Sequence, residues 1–186
     1  MLLTREYLKQ CMDYNPKTGN LTWKERPLWH FKRESNGRGW NTLNAGTVAG
    51  CIDGKGYLSV AVNGKIYRGH RLIFLHVTGK LPTGEVDHIN HIRDDNRWVN
   101  LREVTTSENR INQKLSSAST CGHTGVYFSN KRGVWVAQIK RFGNVKYLGS
   151  YPHIEDAVYA RKTAEKEMGF HPNHGQPAGV MNAINP

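Results

Sequence analysis

Apolar residues occur in this chain only in short runs, and turn-forming residues separate one run from the next. The longest run is about Leu72 to Val77, far short of the roughly 20 residues that span a bilayer. Residues 56–62 alternate in polarity and are followed by Asn63-Gly64, which is typical of a hairpin turn. Residues 65–68 are predicted to form the second, antiparallel strand of that hairpin. The 19 glycines add many further turns. The pattern predicts short strands and helices joined by tight turns.

The charge balance is strongly basic. Lys and Arg number 26 against 15 Asp and Glu, a formal net charge of +11, and hydrophobic residues make up 38% of the chain. That is too much apolar material for a disordered basic tail and enough for a core. An acidic partner is expected, and nucleic acid is the commonest one. The alternative is a basic surface that serves solubility.

Membrane and secreted classes are not indicated. Residues 1–15 contain charged side chains and no long apolar core, so no signal peptide is expected. Cys11, Cys51 and Cys121 lie 40 and 70 residues apart, which suggests neither a cysteine zinc site nor a disulfide framework. We expect free thiols, a cytoplasmic location and no membrane partner.

The chain divides into segments of different character. A helix is predicted over residues 4–14, a turn over 15–20, a strand over 21–23 and an irregular loop over 27–45. A further helix covers residues 70–77. The predicted organisation is an N-terminal extension (1–46), a central domain (47–117), a linker (118–123), a C-terminal domain (124–173) and an irregular tail (174–186).

The C-terminal domain reads as a small sheet followed by one helix. Strands are predicted at residues 126–128, 134–140 and 145–148, with glycine-containing turns between them. A helix from about Ile154 to Met168 follows, and its small and apolar side chains form one stripe. The stripe consists of Ala157, Ala160, Ala164 and Met168.

Chemistry-bearing residues concentrate between positions 87 and 109. Asp87 and His88 are adjacent on a strand-like stretch, so their side chains point to opposite faces. Asn100 precedes a second strand, and Thr105 or Thr106 suits the N-cap of a helix that carries Asn109. A hairpin followed by a helix would bring the four positions together. Taken singly, an Asp-His pair or an Asn before a strand is usually unremarkable.

This spacing resembles the ββα-metal motif of HNH nucleases, in particular the phage and intron-encoded homing endonucleases. Eleven residues separate His88 from Asn100, and seven separate Leu101 from Asn109. The resemblance covers about residues 66–115, and the helix and hairpin at 1–25 look like the same proteins. It implies an α+β fold with a ββα-metal core at about 85–115. Asn109 stands where many members have His, as in the His-Asn-Asn variant.

The resemblance also implies roles. His88 would be the general base, Asp87 and Asn109 would hold one divalent metal, and Asn100 would support the loop and orient His88. A carboxylate and an amide oxygen favour Mg²⁺ or Mn²⁺ over Zn²⁺. No organic cofactor is expected. His70, beside Arg71, could be structural or functional.

A second DNA-binding element is predicted in the C-terminal sheet. Residues 124–150 carry five cations and no Asp or Glu. Alternation places Val126, Phe128 and Trp135 against the helix and leaves a polar and aromatic face exposed. The candidate DNA contacts are Tyr127, Ser129, Lys131, Arg132, Gln138, Lys140, Lys146 and Tyr147, with Arg93 and Arg97 in the central domain. Residues 122–173 resemble the apetala-type domain. The alternative is a solvated basic sheet.

The expected activity is metal-dependent hydrolysis of double-stranded DNA that leaves 5′-phosphate and 3′-hydroxyl ends. With one motif per chain, a monomer would nick one strand, and double-strand cleavage would need a homodimer or two successive events. The resemblance implies a phage-encoded protein in a bacterial host. The alternatives are a sequence-specific DNA-binding regulator with an inactive HNH motif, and a structural RNA-binding protein.

Overall fold

The computed structural model describes residues 3–110, 112–115 and 119–179. The chain forms two compact units. The first contains Met1–His88 and Ile92–Glu103, and the second contains Ile89–His91 and Val104–Pro186. Helices and small sheets occur in both, which is consistent with the predicted α+β class. Residues 116–118 of the linker region and 180–186 of the tail lie outside the described residues.

The first unit combines three helices with short sheets. Its helices are α1 (Arg5–Cys11), α2 (Glu34–Asn44) and α3 (Gly69–Thr78). Its strands are β1 (Met12–Tyr14), β2 (Leu21–Trp23), β3 (Cys51–Ile52), β4 (Leu58–Val62), β5 (Lys65–Arg68), β6 (Glu85–His88) and β7 (Leu101–Val104), the last of which ends at the unit boundary. β1 pairs with β2, β3 with β4 and β5, and β6 with β7.

One apolar core holds the first unit together. Its fully buried side chains come from α1, the β1–β2 hairpin, β4 and α3, and include Leu8, Met12, Leu21, Val60, Val62, Leu72 and Ile73. The predicted hairpin is confirmed, since β4 and β5 pair across Asn63-Gly64. The predicted helix at residues 70–77 is also confirmed. It ends at Thr78, and Gly79 caps it in a left-handed conformation with φ 83°.

The first helix is shorter than predicted. Thr4 caps it by accepting a hydrogen bond from Tyr7 N at 3.2 Å. It ends at Cys11, because Met12 to Tyr14 pair with β2 instead. The helix prediction to residue 14 was therefore wrong for its last turn, and the hairpin begins without an intervening loop.

The prediction of an irregular loop at residues 27–45 was wrong. Leu28–His30 form a 3-10 turn, and α2 occupies eleven of the remaining residues. The amide of Asn41 accepts from the backbone N of Arg26 at 3.0 Å and donates to its carbonyl at 2.8 Å. The ring of Trp40 packs edge-on against Trp23. These contacts attach the helix to the core.

The second unit contains the predicted three-stranded sheet and helix. Its elements are α4 (Thr106–Arg110), β8 (Val126–Ser129), β9 (Val134–Arg141), β10 (Asn144–Tyr151) and α5 (Ile154–Glu167). The strands are antiparallel in the order β10-β9-β8, with an irregularity between Tyr147 and Gly149. Val126, Ala137 and Ala157 form the buried core between sheet and helix.

The buried face of α5 differs from the predicted stripe. It consists of Ala157, Arg161, Ala164 and Glu165, whereas Ala160 is only half-buried. Arg161 pairs with Glu165 at 2.9 Å and donates to the carbonyl of Gln138 on β9 at 2.7 Å. A buried ion pair is tolerated when further hydrogen bonds satisfy its atoms. The charged pair thus replaces part of the expected apolar contact.

Candidate functional site

Asp87 and His88 are the last two residues of β6, as the sequence predicts. His88 is buried, with 4% of its surface exposed. Asp87 is mostly buried, and its Oδ2 accepts two hydrogen bonds from Arg102 on β7, at 3.1 Å from Nε and 2.8 Å from Nη2. The first unit therefore presents a carboxylate and an imidazole side by side on one strand.

Asn96 determines which nitrogen of His88 carries the proton. The Nε2 atom lies 3.2 Å from Asn96 Oδ1. The amide is oriented by its other end, because Nδ2 donates to the carbonyl of Asp94 at 3.2 Å. Since Oδ1 can only accept, Nε2 donates and Nδ1 of the neutral ring retains its lone pair. Burial lowers the pKa of His88, so the neutral form prevails near neutral pH.

Two further rings surround His88. The imidazole of His70, at the start of α3, meets it edge-on at 5.1 Å between centroids, and Tyr57 lies 6.0 Å away. His70 is itself buried, and burial is the main cause that lowers its pKa to about 3. A second neutral imidazole, that of His70, therefore packs against His88. The sequence left the role of His70 open, and its position beside Arg71 gave no signal of this contact.

The second half of the loop between β6 and β7 is fixed from within the first unit. Asn100 is fully buried and donates to the carbonyl of Asp95 at 2.8 Å. Tyr14 of the N-terminal hairpin donates to the carbonyl of Asn96 at 2.9 Å, and burial raises the pKa of its phenol to about 12. The hairpin thus holds the loop that orients His88. Direct orientation of His88 by Asn100 stays a prediction.

Asn109 lies in the second unit, on α4. The predicted cap is present, because Thr105 Oγ1 accepts from Glu108 N at 3.2 Å while the Glu108 carboxylate accepts from Thr105 N at 2.7 Å. This reciprocal pair is a capping box. The predicted meeting of Asn109 with Asp87 at one metal stays a prediction. Within the described residues, no group of three or more His, Cys, Asp or Glu could hold a metal ion.

The two arginines predicted to contact DNA have protein partners in the first unit. Arg93 donates to the carbonyl of Lys55 at 2.8 Å and lies over the ring of Tyr57. Arg97 forms two hydrogen bonds with Asp95, at 2.8 and 2.6 Å. That carboxylate offsets the charge of Arg97, which weakens it as a phosphate contact. Their role in DNA binding stays a prediction.

One face of the sheet in the second unit carries five of the ten predicted DNA contacts. We call Tyr127, Ser129, Gln138, Lys140 and Tyr147 the sheet face. Tyr147 pairs with Gln138 across the strands, and both tyrosines are about half exposed. Lys131 and Arg132 lie exposed in the turn between β8 and β9.

One predicted DNA contact lies off the sheet face, and one predicted core residue is partly exposed. Lys146 pairs with Ile139, whose side chain is buried against α5, so the register places Lys146 on the helix side and not on the sheet face. Phe128 was predicted to face the helix, but 45% of its surface is exposed. It lies at the edge of that side, against Trp135.

A protein-family model matches part of the chain. Residues 67–111 match a family model described as HNH endonuclease. The matched segment supports an HNH nuclease. It contains Asp87, His88, Asn100 and Asn109 and covers β6, β7 and α4. No curated protein and no solved structure gave a significant match. Within the described residues, no helix has the length and apolar character that a membrane span requires.

Sequence reasoning missed Asn96 and Arg102. Both are within the segment that matches the HNH endonuclease model, and both contact a predicted site residue directly. Arg102 carried a weak signal, since it lies two residues after Asn100 on the strand that returns beside β6. Nothing in the sequence singled out Asn96 beyond its position in a polar loop.

Proposed function

We propose that this protein is a metal-dependent endonuclease of the homing type that hydrolyses phosphodiester bonds in double-stranded DNA. The observation that carries the proposal is the tautomer of His88, which its hydrogen bond to Asn96 sets, within the matched segment. Its Nε2 proton is committed to Asn96, and its Nδ1 lone pair remains for chemistry. The net charge of +11 suits a polyanionic substrate.

In this mechanism His88 is the general base. Its Nδ1 takes a proton from a water molecule as the water oxygen attacks phosphorus, and the bond to the leaving 3′-oxygen breaks. The leaving 3′-oxygen takes up a proton from solvent. The products are a 5′-phosphate and a 3′-hydroxyl. The hydrogen bond from Nε2 to Asn96 keeps the ring from turning during this transfer. A positioned general base typically contributes about 10²- to 10⁴-fold in rate.

Asp87 and Asn109 would hold a divalent cation, Mg²⁺ or Mn²⁺. The residues fit this role chemically, because a carboxylate and an amide oxygen are hard donors. When bound, such an ion stabilises negative charge on the phosphate and on the leaving oxygen. Arg102 holds the Asp87 carboxylate through Oδ2 and limits its rotation.

The sheet face would supply DNA affinity and site preference, in the manner of an apetala-type domain. Support comes from the exposed tyrosines, the amide of Gln138 and the cation of Lys140 on one side of the sheet. Cations give sequence-independent phosphate contacts, while amide and aromatic groups can read base edges. The resemblance to phage and intron-encoded enzymes points to DNA in a bacterial host as the substrate.

The test is incubation of the full chain with supercoiled plasmid, with Mg²⁺ or with a chelator. The proposal expects relaxed or linear plasmid with Mg²⁺ and intact plasmid with the chelator. Relaxed product alone indicates nicking by a monomer, and linear product at an early stage indicates paired active sites. Plasmid that is bound but never cut, with any divalent cation, would contradict the proposal and favour a DNA-binding regulator.

A further inference from the structure

The three residues that follow His88 are held by a segment near the end of the described chain. We call residues 173–179 the clasp. Each of the three residues is hydrogen-bonded to the clasp, although more than 80 positions separate them from it in sequence. The bonds are Asn173 Nδ2 to Ile89 O (2.9 Å), Gly179 N to Asn90 O (2.8 Å) and His91 Nε2 to Asn173 O (3.0 Å).

Asn173 is the centre of the clasp. It has no exposed surface, and both its side chain and its carbonyl contact the segment after His88. Its backbone N donates to His171 Nδ1 at 3.1 Å, which fixes its own position. Loss of one hydrogen bond of a fully buried amide costs free energy, because the remaining partner is left buried and unsatisfied.

The segment that the clasp holds is conformationally unusual. His91 has φ 64°, a left-handed conformation that few non-glycine residues adopt. Such a conformation persists only where surrounding contacts over-determine it. The bond from His91 Nε2 to the carbonyl of Asn173 is one such contact. The chain leaving β6 therefore has a shape that depends on the clasp.

The clasp also contacts the chain after α4. Gly175 N donates to the carbonyl of Gln113 at 2.8 Å, and Leu115 N donates to the carbonyl of Gln176 at 3.2 Å. α4 carries Asn109. One short segment is thus bonded to the residues directly after His88 and to the residues soon after Asn109.

We propose that Asn173 is a positioning residue of the nuclease, because it holds Ile89 and His91, two of the three residues that follow His88 in the chain. The inference rests on the proposed function for its catalytic consequence. It assigns the C-terminal part of the chain a second task besides DNA binding. It also implies that the nuclease segment is incomplete without residues far outside it.

The test compares Asn173→Asp with wild type in the full chain. Aspartate has nearly the same volume but no N–H, so its carboxylate faces the carbonyl of Ile89 without a proton between them. The matched control is Asn144→Asp, the same chemical change at an exposed position of β10. The measurements are amide hydrogen exchange, single-turnover cleavage with DNA saturated by protein, and DNA affinity.

We expect exchange at residues 89–92 to accelerate by about tenfold or more in Asn173→Asp, because a buried hydrogen bond is lost. The cleavage rate should fall by about tenfold or more, since even a small displacement of His88 from its reacting position lowers the rate. DNA affinity should change by less than about twofold, because Asn173 is expected to affect the chemical step and not the binding of DNA. Asn144→Asp should match wild type in all three.

Three outcomes would overturn the inference: unchanged exchange at residues 89–92, unchanged cleavage despite faster exchange, or parallel loss of cleavage, affinity and protection throughout the sheet. The last would mean a purely structural role. If Asn173→Asp does not fold, His91→Phe removes the donor to the backbone carbonyl of Asn173 and is judged by the same criteria. A wild-type chain that binds DNA but never cleaves it contradicts the proposed function, and exchange then decides whether the clasp holds the segment.

Discussion

At the scale of single residues, the hydrogen bond between His88 and Asn96 makes a specific prediction. Asn96→Leu removes the acceptor at similar volume, so the imidazole loses its preferred tautomer and orientation. We expect the single-turnover cleavage rate to fall by at least about tenfold, part of what a general base contributes. The control is Asn144→Leu, at an exposed position. A rate equal to that of the control would contradict the assigned role of Asn96.

The metal preference depends on Asn109. Asn109→His replaces an amide oxygen with an imidazole, which suits Ni²⁺ and Co²⁺ better than Mg²⁺. We expect cleavage with Mg²⁺ to fall relative to cleavage with Ni²⁺ or Co²⁺. The measurement is the cleavage rate of wild type and variant across Mg²⁺, Mn²⁺, Co²⁺ and Ni²⁺. Identical profiles would show that position 109 is not a ligand.

Some site residues could be predicted from the sequence and others could not. Asp87 and His88 stand out because two adjacent polar residues lie between Val86 and Ile89, at a recognisable spacing from Asn100 and Asn109. The contact between Asp87 and Arg102 depends on strand register across a long loop, and no short turn sets that register. Asn96 is one of three asparagines in the loop, and only the folded chain selects it as the partner of His88.

At the scale of elements, α2 could not be predicted from propensity. Its sequence contains two glycines, one serine and three asparagines, all unfavourable inside a helix. Packing outweighs this cost, because Trp40 and Asn41 attach the helix to the core. The β4–β5 hairpin and the bounds of α5, by contrast, follow from periodicity and turn residues alone.

The same helix gives a paired stability prediction. A Cβ at Gly37 would lie 2.8 Å from Phe31 Cδ2 and 2.9 Å from Leu28 Cδ2, whereas one at Gly39 would meet no atom within 4 Å. We expect Gly37→Ala to lower the free energy of unfolding by about 1–2 kcal/mol through overpacking. Gly39→Ala should raise it by about 0.5–1 kcal/mol through helix propensity. Urea unfolding measures both, and stabilisation by both changes would contradict the packing argument.

At the scale of the whole molecule, the basic charge should act through the sheet face. The double variant Arg132→Gln, Lys140→Gln removes one cation from the β8–β9 turn and one from the sheet face. If both contact phosphates, the slope of log K against log salt should fall by about 2, since each contact adds about 0.9. The matched control is Lys146→Gln, Lys166→Gln, because the register places Lys146 on the helix side and Lys166 lies exposed on α5. Equal slopes for the two variants would contradict a DNA-binding sheet face.

The organisation of the whole chain was only partly predictable. The sequence predicts a C-terminal sheet and helix correctly, because alternation and turns are local signals. It predicts an irregular tail after residue 173, because residues 173–179 show no periodicity. The burial of Asn173 and His174 arises from hydrogen bonds to distant segments, which leave no local pattern. Truncation after residue 117 would therefore remove contacts that hold the chain after His88.

The central claim is that His88 acts as the general base, and one comparison tests it most directly. Wild type and His88→Ala are compared in single-turnover cleavage of duplex DNA with Mg²⁺, and DNA affinity is measured on the same samples. The account predicts a rate loss of about 10²-fold or more with nearly unchanged affinity, because a proton acceptor acts in the transition state. Cleavage by His88→Ala at a rate near that of wild type would contradict the account.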